Sequence, residues 1–288
     1  MRTLLIIVVL AGFLLCSCSD SSPNIFVVDI VDPMDGGMDI EMVQLPAGTF
    51  LMGSNSQYTE YEMEIAEDVF ITVYTWERPV HAVTLDVFKI SSTEITQEQY
   101  RVVMGTSPSK FYGFDNLPVE NVSWEDAVTF CNKLSEMTGL EPCYELASWE
   151  CDFTRNGFRL PTEAEWEYAC RGGSKLEWGS GSTGPGDLRH TAWFRENSYH
   201  TTNPVRSLAP NLAGLYDMQG NVLEWCNDFL GYYNCNHQTN PTGPSHGKQR
   251  IVRGGAWAST AVDCRPSTRR GRFQDYKEPY LGFRIVSR

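Results

Sequence analysis

The sequence predicts one loop-rich domain in which a few helices are combined with short strands. Three capping boxes mark helix starts, several short segments alternate apolar and polar residues, and Gly, Trp and Tyr occur 24, 8 and 13 times. A chain of 288 residues with 42% hydrophobic residues can bury a sizeable core. From Glu41 onward no linker, low-complexity run or internal period interrupts the chain, which favours a single domain over residues 41–288.

Helix starts are predicted where a hydroxyl residue precedes a side chain that reaches back from three residues later. The pairs are Thr96 with Gln99, Ser123 with Asp126, and Thr162 with Glu165. The second helix has an apolar face followed by a Gly stop, formed by Ala127, Phe130, Cys131, Leu134 and Gly139.

Short alternating segments predict strands, and a polar stretch predicts long ordered loops. The strand candidates are Met42–Phe50, His81–Ile90, Ile251–Trp257 and Leu281–Val286. Residues Gly172–Pro210 are rich in Gly, Ser, Thr, Asn and Pro. Loops of that length inside one domain usually serve a site or are pinned by other residues.

The N-terminus has the pattern of an export signal. Arg2 precedes an apolar run, Leu4–Leu15, that is too short to span a bilayer comfortably. Small residues before Cys18 resemble a bacterial lipobox, so we expect a signal peptide over residues 1–17 and lipidation of Cys18. The alternative is an ordinary secretory signal with an incidental Cys. Because Ser19, not Asp, follows Cys18, we expect an outer-membrane location.

Residues 18–40 are expected to form an acidic tether. This segment holds five Asp with Pro and Gly residues, a composition that resists burial. Its apolar patch, Ile25–Val28, offers the alternative of a strand docked on the domain.

The charge distribution excludes one function class and leaves another open. A net charge of -13 argues against general nucleic-acid binding, which needs cations for the phosphates. Residues 248–288 nevertheless hold ten Lys and Arg against three Asp and Glu. The basic run 265–272 either meets an acidic partner or pairs with the acidic part of this chain, and we favour internal pairing.

Calcium is the metal that the residue pattern suggests. The five His residues form no ligand pair, and no phosphate loop, nucleophile elbow or C-x-x-C motif occurs. The segment Asp217–Trp225 gathers oxygen donors around Gly220 and Asn221, with Glu224 close by, which suits calcium. The alternative is a turn whose Asn and Glu bond local amides.

Seven Cys remain after export, and in an oxidising compartment most would be expected to pair. Cys143 with Cys151 and Cys226 with Cys235 are close enough in sequence to close local loops. Because seven is odd, one thiol stays free or finds a partner elsewhere. A free Cys264 beside Arg265, Arg269 and Arg270 is expected to have a lowered pKa, and a structural disulfide is the alternative.

Seven segments together resemble the sulfatase-modifying factor family, also called the formylglycine-generating enzyme family. They are Leu45–Ser54, Glu94–Gln97, Pro118–Ala127, Gly157–Ala169, Gly214–Trp225, Arg253–Trp257 and Gly282–Arg284. The resemblance implies a C-type-lectin-like α+β fold with little regular secondary structure. It also implies calcium binding, mainly through backbone oxygens, at Gln219, Gly220, Val222 and Glu224.

Catalytic members of that family convert a substrate Cys to formylglycine with oxygen and a copper(I) ion held by two Cys. Counted from Arg253–Trp257, the two positions are Ser259 and Cys264 here. A hydroxyl does not replace a thiolate for copper(I), so copper is not expected and Cys264 alone remains of the catalytic pair.

We therefore expect a lipid-anchored, non-catalytic binding or scaffold protein of the envelope with a protein or glycan partner. Its predicted binding surface spans Ala256–Tyr280 and contains Trp257, Arg265, Arg269 and Arg270. The alternative is an exported oxidase that makes formylglycine, or performs a related oxidation, by a variant mechanism.

Overall fold

The computed structural model describes residues 23–32, 36–56, 60–66, 69–74, 76–179 and 184–288. The predicted signal peptide and Cys18 lie outside the described residues. Within these ranges no helix combines the length and apolar character needed to cross a membrane.

Two four-stranded sheets hold most of the strands. The first contains, in spatial order, β1 (Asn24–Asp32), β2 (Gly36–Leu45), β7 (Phe88–Ser91) and β15 (Val286–Ser287). The second contains β13 (Arg269–Arg272), β12 (Arg250–Arg253), β10 (Leu223–Phe229) and β14 (Leu281–Gly282). Both sheets therefore join distant parts of the sequence.

Smaller sheets complete the strand content of the described residues. One has the order β11 (Gln238–Thr239), β6 (His81–Leu85) and β3 (Gly48–Met52). Two hairpins pair β4 (Glu60–Ala66) with β5 (Val69–Tyr74), and β8 (Tyr144–Glu145) with β9 (Glu150–Cys151). All four segments predicted as strands contain strands, although β12 ends where Gly254 and Gly255 turn the chain with positive φ.

The apolar patch Ile25–Val28 docks on the domain as a strand. This is the alternative given above, and it replaces the expected tether for this part of residues 18–40. It lies in β1, which pairs antiparallel with β2 from Asn24 opposite Gln44 to Asp32 opposite Gly36. The first sheet therefore begins at residue 24, inside the segment expected to be a tether.

All three helices begin at the predicted caps. They are α1 (Gln97–Met104), α2 (Trp124–Met137) and α3 (Glu163–Arg171). In each, the cap hydroxyl accepts from the amide three residues later, and that residue's side chain accepts from the cap amide. The predicted apolar face of α2 is buried, and Gly139 adopts φ 73° just after the helix.

Three apolar clusters form the core. The largest packs α1 and α2 against strands from both large sheets, with Trp124 and Trp225 fully buried. The second packs α3, through Trp166, against β2, β6 and β7. A small third cluster, built from loops and two short 3-10 helices, contains Trp178, Leu188, Phe194 and Cys264. The α+β, loop-rich fold is thus the predicted one.

Buried arginine–carboxylate pairs hold the long loops to this core. Arg265 is fully buried and bonds Glu77 at 2.8 Å and Glu177, in the predicted 172–210 loop, at 2.6 Å. Among its described residues that loop contains only one short 3-10 helix, Asp187–His190. The prediction of long ordered loops is confirmed, and ion pairs are one means of pinning them.

Candidate functional site

Cys264 lies at the end of a short 3-10 helix, Ala261–Cys264, and is fully buried in the third cluster. The chain passes closely over it, because a Cβ on Gly255 would lie 2.5 Å from its Sγ. Burial raises the pKa of the Cys264 thiol, and nearby Asp263 adds to the rise. The expectation of a lowered pKa is therefore wrong, since desolvation outweighs the neighbouring arginines.

Ser259 is tied to the backbone around it. Its Oγ accepts from the Ala256 amide at 3.0 Å, and its carbonyl accepts from the Arg195 amide at 3.0 Å. Copper(I) prefers two soft thiolates. Here Ser259 offers a hydroxyl, and Cys264 offers a buried, protonated thiol. The described residues contain no group of three or more His, Cys, Asp and Glu suited to a metal ion. These two positions do not fit the copper site of catalytic relatives.

Neither of the two candidate disulfides is formed in the structure. All seven cysteines between Cys131 and Cys264 carry free thiols. Cys226 is wholly buried in β10 while Cys235 is exposed, so closeness in sequence does not bring them together. Cys143 contacts the Arg155 carbonyl, and burial raises its pKa.

The predicted calcium turn is a junction of hydrogen bonds. The Glu224 carboxylate accepts from Arg284 and from Trp166 Nε1, at 2.7 Å each, so this side chain is already engaged by two donors. The Gln219 side chain donates to the Cys264 carbonyl, and Gly220 and Val222 donate their amides to Gly254 and Glu94.

Asp217 is the side chain of this turn that keeps an oxygen available for a cation. Asp217 Oδ1 is buried without a hydrogen-bond partner among the described residues. Burial raises the Asp217 pKa to about 6, and a bound cation would reverse that shift. Calcium at Gln219, Gly220, Val222 and Glu224, mainly through backbone oxygens, stays a prediction, which a calcium-dependent rise in Tm would test.

The arginines of the basic run 265–272 pair mainly with carboxylates of this chain, which is the interpretation favoured from the sequence. Arg269 is 4% exposed and bonds Glu163 at 2.5 and 2.6 Å. Arg265 is buried as described above, and Arg270 is exposed but bonds Asp263 at 2.5 Å. Arg265 and Arg269 therefore do not belong to a binding surface, because their charges are neutralised inside the domain.

An aromatic surface does surround Trp257, and we call Phe111, Tyr112, Phe114, Tyr199 and Trp257 the Trp257 surface. Phe111 packs edge-on against the half-buried Trp257, with ring centroids 5.4 Å apart. The Trp257 carbonyl accepts from Ser198 Oγ at 2.8 Å, which places the Tyr199 loop beside it.

The exposed members of this surface are Tyr112, Phe114 and Tyr199, at 89%, 66% and 83%. Sequence reasoning missed Phe111, Tyr112, Phe114 and Tyr199. The run of three aromatic residues over 111–114 in a loop is the signal that would have found the first three.

Comparison with known proteins gives the chain its family. The family model described as "Sulfatase-modifying factor enzyme 1-like domain" matches residues 33–288. The chain is 34% identical over 241 residues to "Chaperone protein LppX" of Paenibacillus barcinonensis, covering 71% of this chain and 81% of that protein. It is 35% identical over 195 residues to the formylglycine-generating enzyme of Streptomyces coelicolor, covering 62% of this chain. That match spans 55% of the enzyme's length.

Among solved structures, Treponema denticola variable protein 1 is similar with a TM-score of 0.80 and 32% identity. The similarity covers 93% of this chain and all of that one. Family model, relatives and fold agree, and this chain belongs to the sulfatase-modifying factor family.

Proposed function

We propose that this protein is a non-catalytic binding protein of the bacterial outer membrane, anchored by a lipid on Cys18, with a protein or glycan partner. The observation that carries the proposal is the pair Ser259 and Cys264. One position lacks a thiol, and the other holds a thiol that is fully buried and has a raised pKa. A thiolate is the form that binds copper and attacks sulfur, so neither position supplies the chemistry of catalytic members.

The Trp257 surface supports binding as the remaining role. Exposed Tyr and Trp side chains are enriched where proteins contact partners, because they offer large contact areas at low entropic cost. Tyr112, Phe114 and Tyr199 expose most of their area without packing on the core. The chain is also similar to a protein named a chaperone, which is a name for a protein that binds other proteins.

The wild-type protein is expected to make no formylglycine. Full-length protein, copper, oxygen, a reductant and a C-x-P-x-R peptide would be incubated, and the peptide read by mass spectrometry. Ser259→Cys restores the family's thiol pair and is expected to retain copper(I) against a competing chelator at least about tenfold better than wild type. The matched control is Ser259→Cys with Cys264→Ser, which holds one thiol and is expected to lose that gain.

Formylglycine made by the wild type, and lost on Cys264→Ser, would instead establish an oxidase with a variant mechanism. Stoichiometric copper in the wild-type protein would contradict the proposal equally.

Partner binding is expected to depend on Tyr112. Tagged full-length protein would be recovered from cross-linked envelopes, and the recovered partner quantified for wild type, Tyr112→Ala and Tyr232→Ala. Both tyrosines are more than four-fifths exposed, so neither change removes core packing. We expect Tyr112→Ala to lose about tenfold of the partner and Tyr232→Ala to retain it. Equal recovery in all three would remove this surface from the proposal.

The lipid anchor is tested separately. Labelling with a tagged fatty acid should mark the wild type and leave Cys18→Ser unlabelled. Labelling that persists in Cys18→Ser would contradict this part of the proposal.

A further inference from the structure

A cavity of about 510 Å³ lies beside the N-terminal end of α3, on residues that the Trp257 surface does not use. Loop 231–244 forms one wall, and residues from β3, β6, β10 and β13 complete it. Its volume is in the range of small-molecule sites. The polar residues that line it include His81, Glu163, Asp228, Tyr233 and Arg269.

An aromatic pair stands at the rim of this cavity. Tyr232 lines the cavity yet is 84% exposed, and it stacks on Trp76 with ring centroids 4.6 Å apart and planes 27° apart. Trp76 adopts φ 64°, a left-handed conformation that is costly for a bulky side chain.

Arg269 fixes both segments that carry this pair. Its Nη1 donates to the Trp76 carbonyl at 3.1 Å and to the Gly231 carbonyl at 2.8 Å. Its remaining donors bond Glu163. Arg269 is therefore a positioning residue, since its bonds hold the segments that carry the two stacked rings.

The interior of the cavity is polar but carries little net charge. Arg269 neutralises Glu163, whose Oε1 also accepts from the Tyr233 hydroxyl at 3.1 Å. Burial raises the pKa of Asp228 to about 8, and Glu163 adds to the rise, so Asp228 is protonated near neutral pH. His81 Nδ1 lies 3.1 Å from the Pro79 carbonyl, which only accepts, so Nδ1 is the donor of this hydrogen bond.

Close backbone packing keeps the cavity preformed. A Cβ on Gly243, whose φ is 74°, would lie 2.8 Å from Asp228 Cβ. A Cβ on Gly231 would lie 2.5 Å from the Pro244 ring. Glycine at both positions lets loop 231–244 fold tightly around Asp228, which lowers the ordering cost of binding a ligand.

We propose that this cavity binds an uncharged saccharide of one or two units, with a sugar face on the Tyr232 ring, which Trp76 supports from its other side, and hydroxyls on Asp228 and His81. An anion finds the Arg269 charge already committed to Glu163 and to two backbone carbonyls, and a cation finds Glu163 already neutralised. An apolar ligand would leave the buried polar groups without partners, at a cost of about 1–3 kcal/mol each. A neutral polyhydroxy ring with one apolar face satisfies all of these groups.

Saccharide binding by the full-length protein tests this. A panel of neutral mono- and disaccharides, with glucuronic acid as the anionic counterpart, would be titrated and followed by saturation-transfer NMR and Trp fluorescence. We expect saturable binding of at least one neutral sugar, no competition by glucuronic acid, and about tenfold weaker binding in Tyr232→Ala. Phe273→Ala is the matched control, because Phe273 is an exposed aromatic residue outside the cavity lining and outside the Trp257 surface, and it should bind as wild type.

Measuring saccharide affinity over a pH series tests the role of Asp228 directly, because a residue with only a structural role would not give the affinity this pH dependence. Above pH 8 Asp228 ionises and loses its donated hydrogen bond, so wild-type affinity should fall while Asp228→Asn stays flat. The charged groups acting on Asp228 are Glu163, Glu165, Arg269 and Arg250. No binding across the panel, unchanged binding in Tyr232→Ala, or the same pH profile in Asp228→Asn would each overturn the proposal. None of these results bears on Tyr112-dependent partner capture.

Discussion

Replacing Arg284 by Met is expected to remove about 3–5 kcal/mol of unfolding free energy, the cost typical of leaving a buried charge without its partner. Arg284 is fully buried and bonds both oxygens of Glu224, at 2.7 and 2.8 Å. It also donates to the carbonyls of Ser91 and Tyr216, at 3.1 and 2.9 Å. Methionine fills similar volume but leaves the Glu224 charge uncompensated. Urea unfolding followed by Trp fluorescence measures the loss.

Arg189→Met is the matched control for this prediction. Its pair with Glu196 has the same 2.7 Å distance, but both side chains are more than half exposed. Exposed pairs contribute about 0–1 kcal/mol, so little change is expected. The double variant Arg284→Met with Glu224→Leu should recover part of the loss, because it removes the stranded charge. Equal losses in Arg284→Met and Arg189→Met would show that burial does not set the value of this pair.

The helix starts were predictable because their information is local. In each capping box both partners lie within four residues. The three helix starts after Thr96, Ser123 and Thr162 can therefore be predicted from the local sequence alone. The serine at position 259 was predictable for a related reason, since the nearby motif Arg253–Trp257 locates the position by counting along the chain. Strand partners were not predictable, because β15 pairs with β7 nearly 200 residues earlier in the chain and β10 with β14 by only two residue pairs.

The burial of the arginines could not be read from the sequence. A run such as 265–272 resembles a solvated basic patch, and nothing local tells Arg265 from Arg270. The difference lies in their partners. Arg265 bonds Glu77, which is 188 residues away in the sequence, while Arg270 bonds Asp263, which is only 7 residues away. The saccharide cavity was invisible for the same reason, since it combines residues from 52 to 269.

Replacing Gly220 by Ala is expected to cost about 3 kcal/mol or more, from overlap added to backbone strain. A Cβ at this position would overlap the Trp193 carbonyl oxygen and lie 2.7 Å from its carbon. These are backbone atoms, held by a bridge between Trp193 and Gly220 and by the Asn221 amide bonded to the same carbonyl at 2.7 Å. The segment therefore has to move as a unit, and no rotamer change relieves the contact.

Gly105→Ala separates the strain at Gly220 from the overlap. Gly105 has a similar φ, 74° against 82°, but a Cβ there meets nothing within 4 Å. Conformational strain alone costs about 1–2 kcal/mol, so the difference between the two variants measures the overlap. The Asn221 carbonyl accepts from the Trp257 amide at 2.8 Å, so moving this turn should also disturb the Trp257 surface. We expect Gly220→Ala to lose partner capture at temperatures where it is still folded, and Gly105→Ala to keep it. Equal destabilisation of the two variants would mean that the turn at 220 relaxes freely and does not hold the Trp257 surface in place.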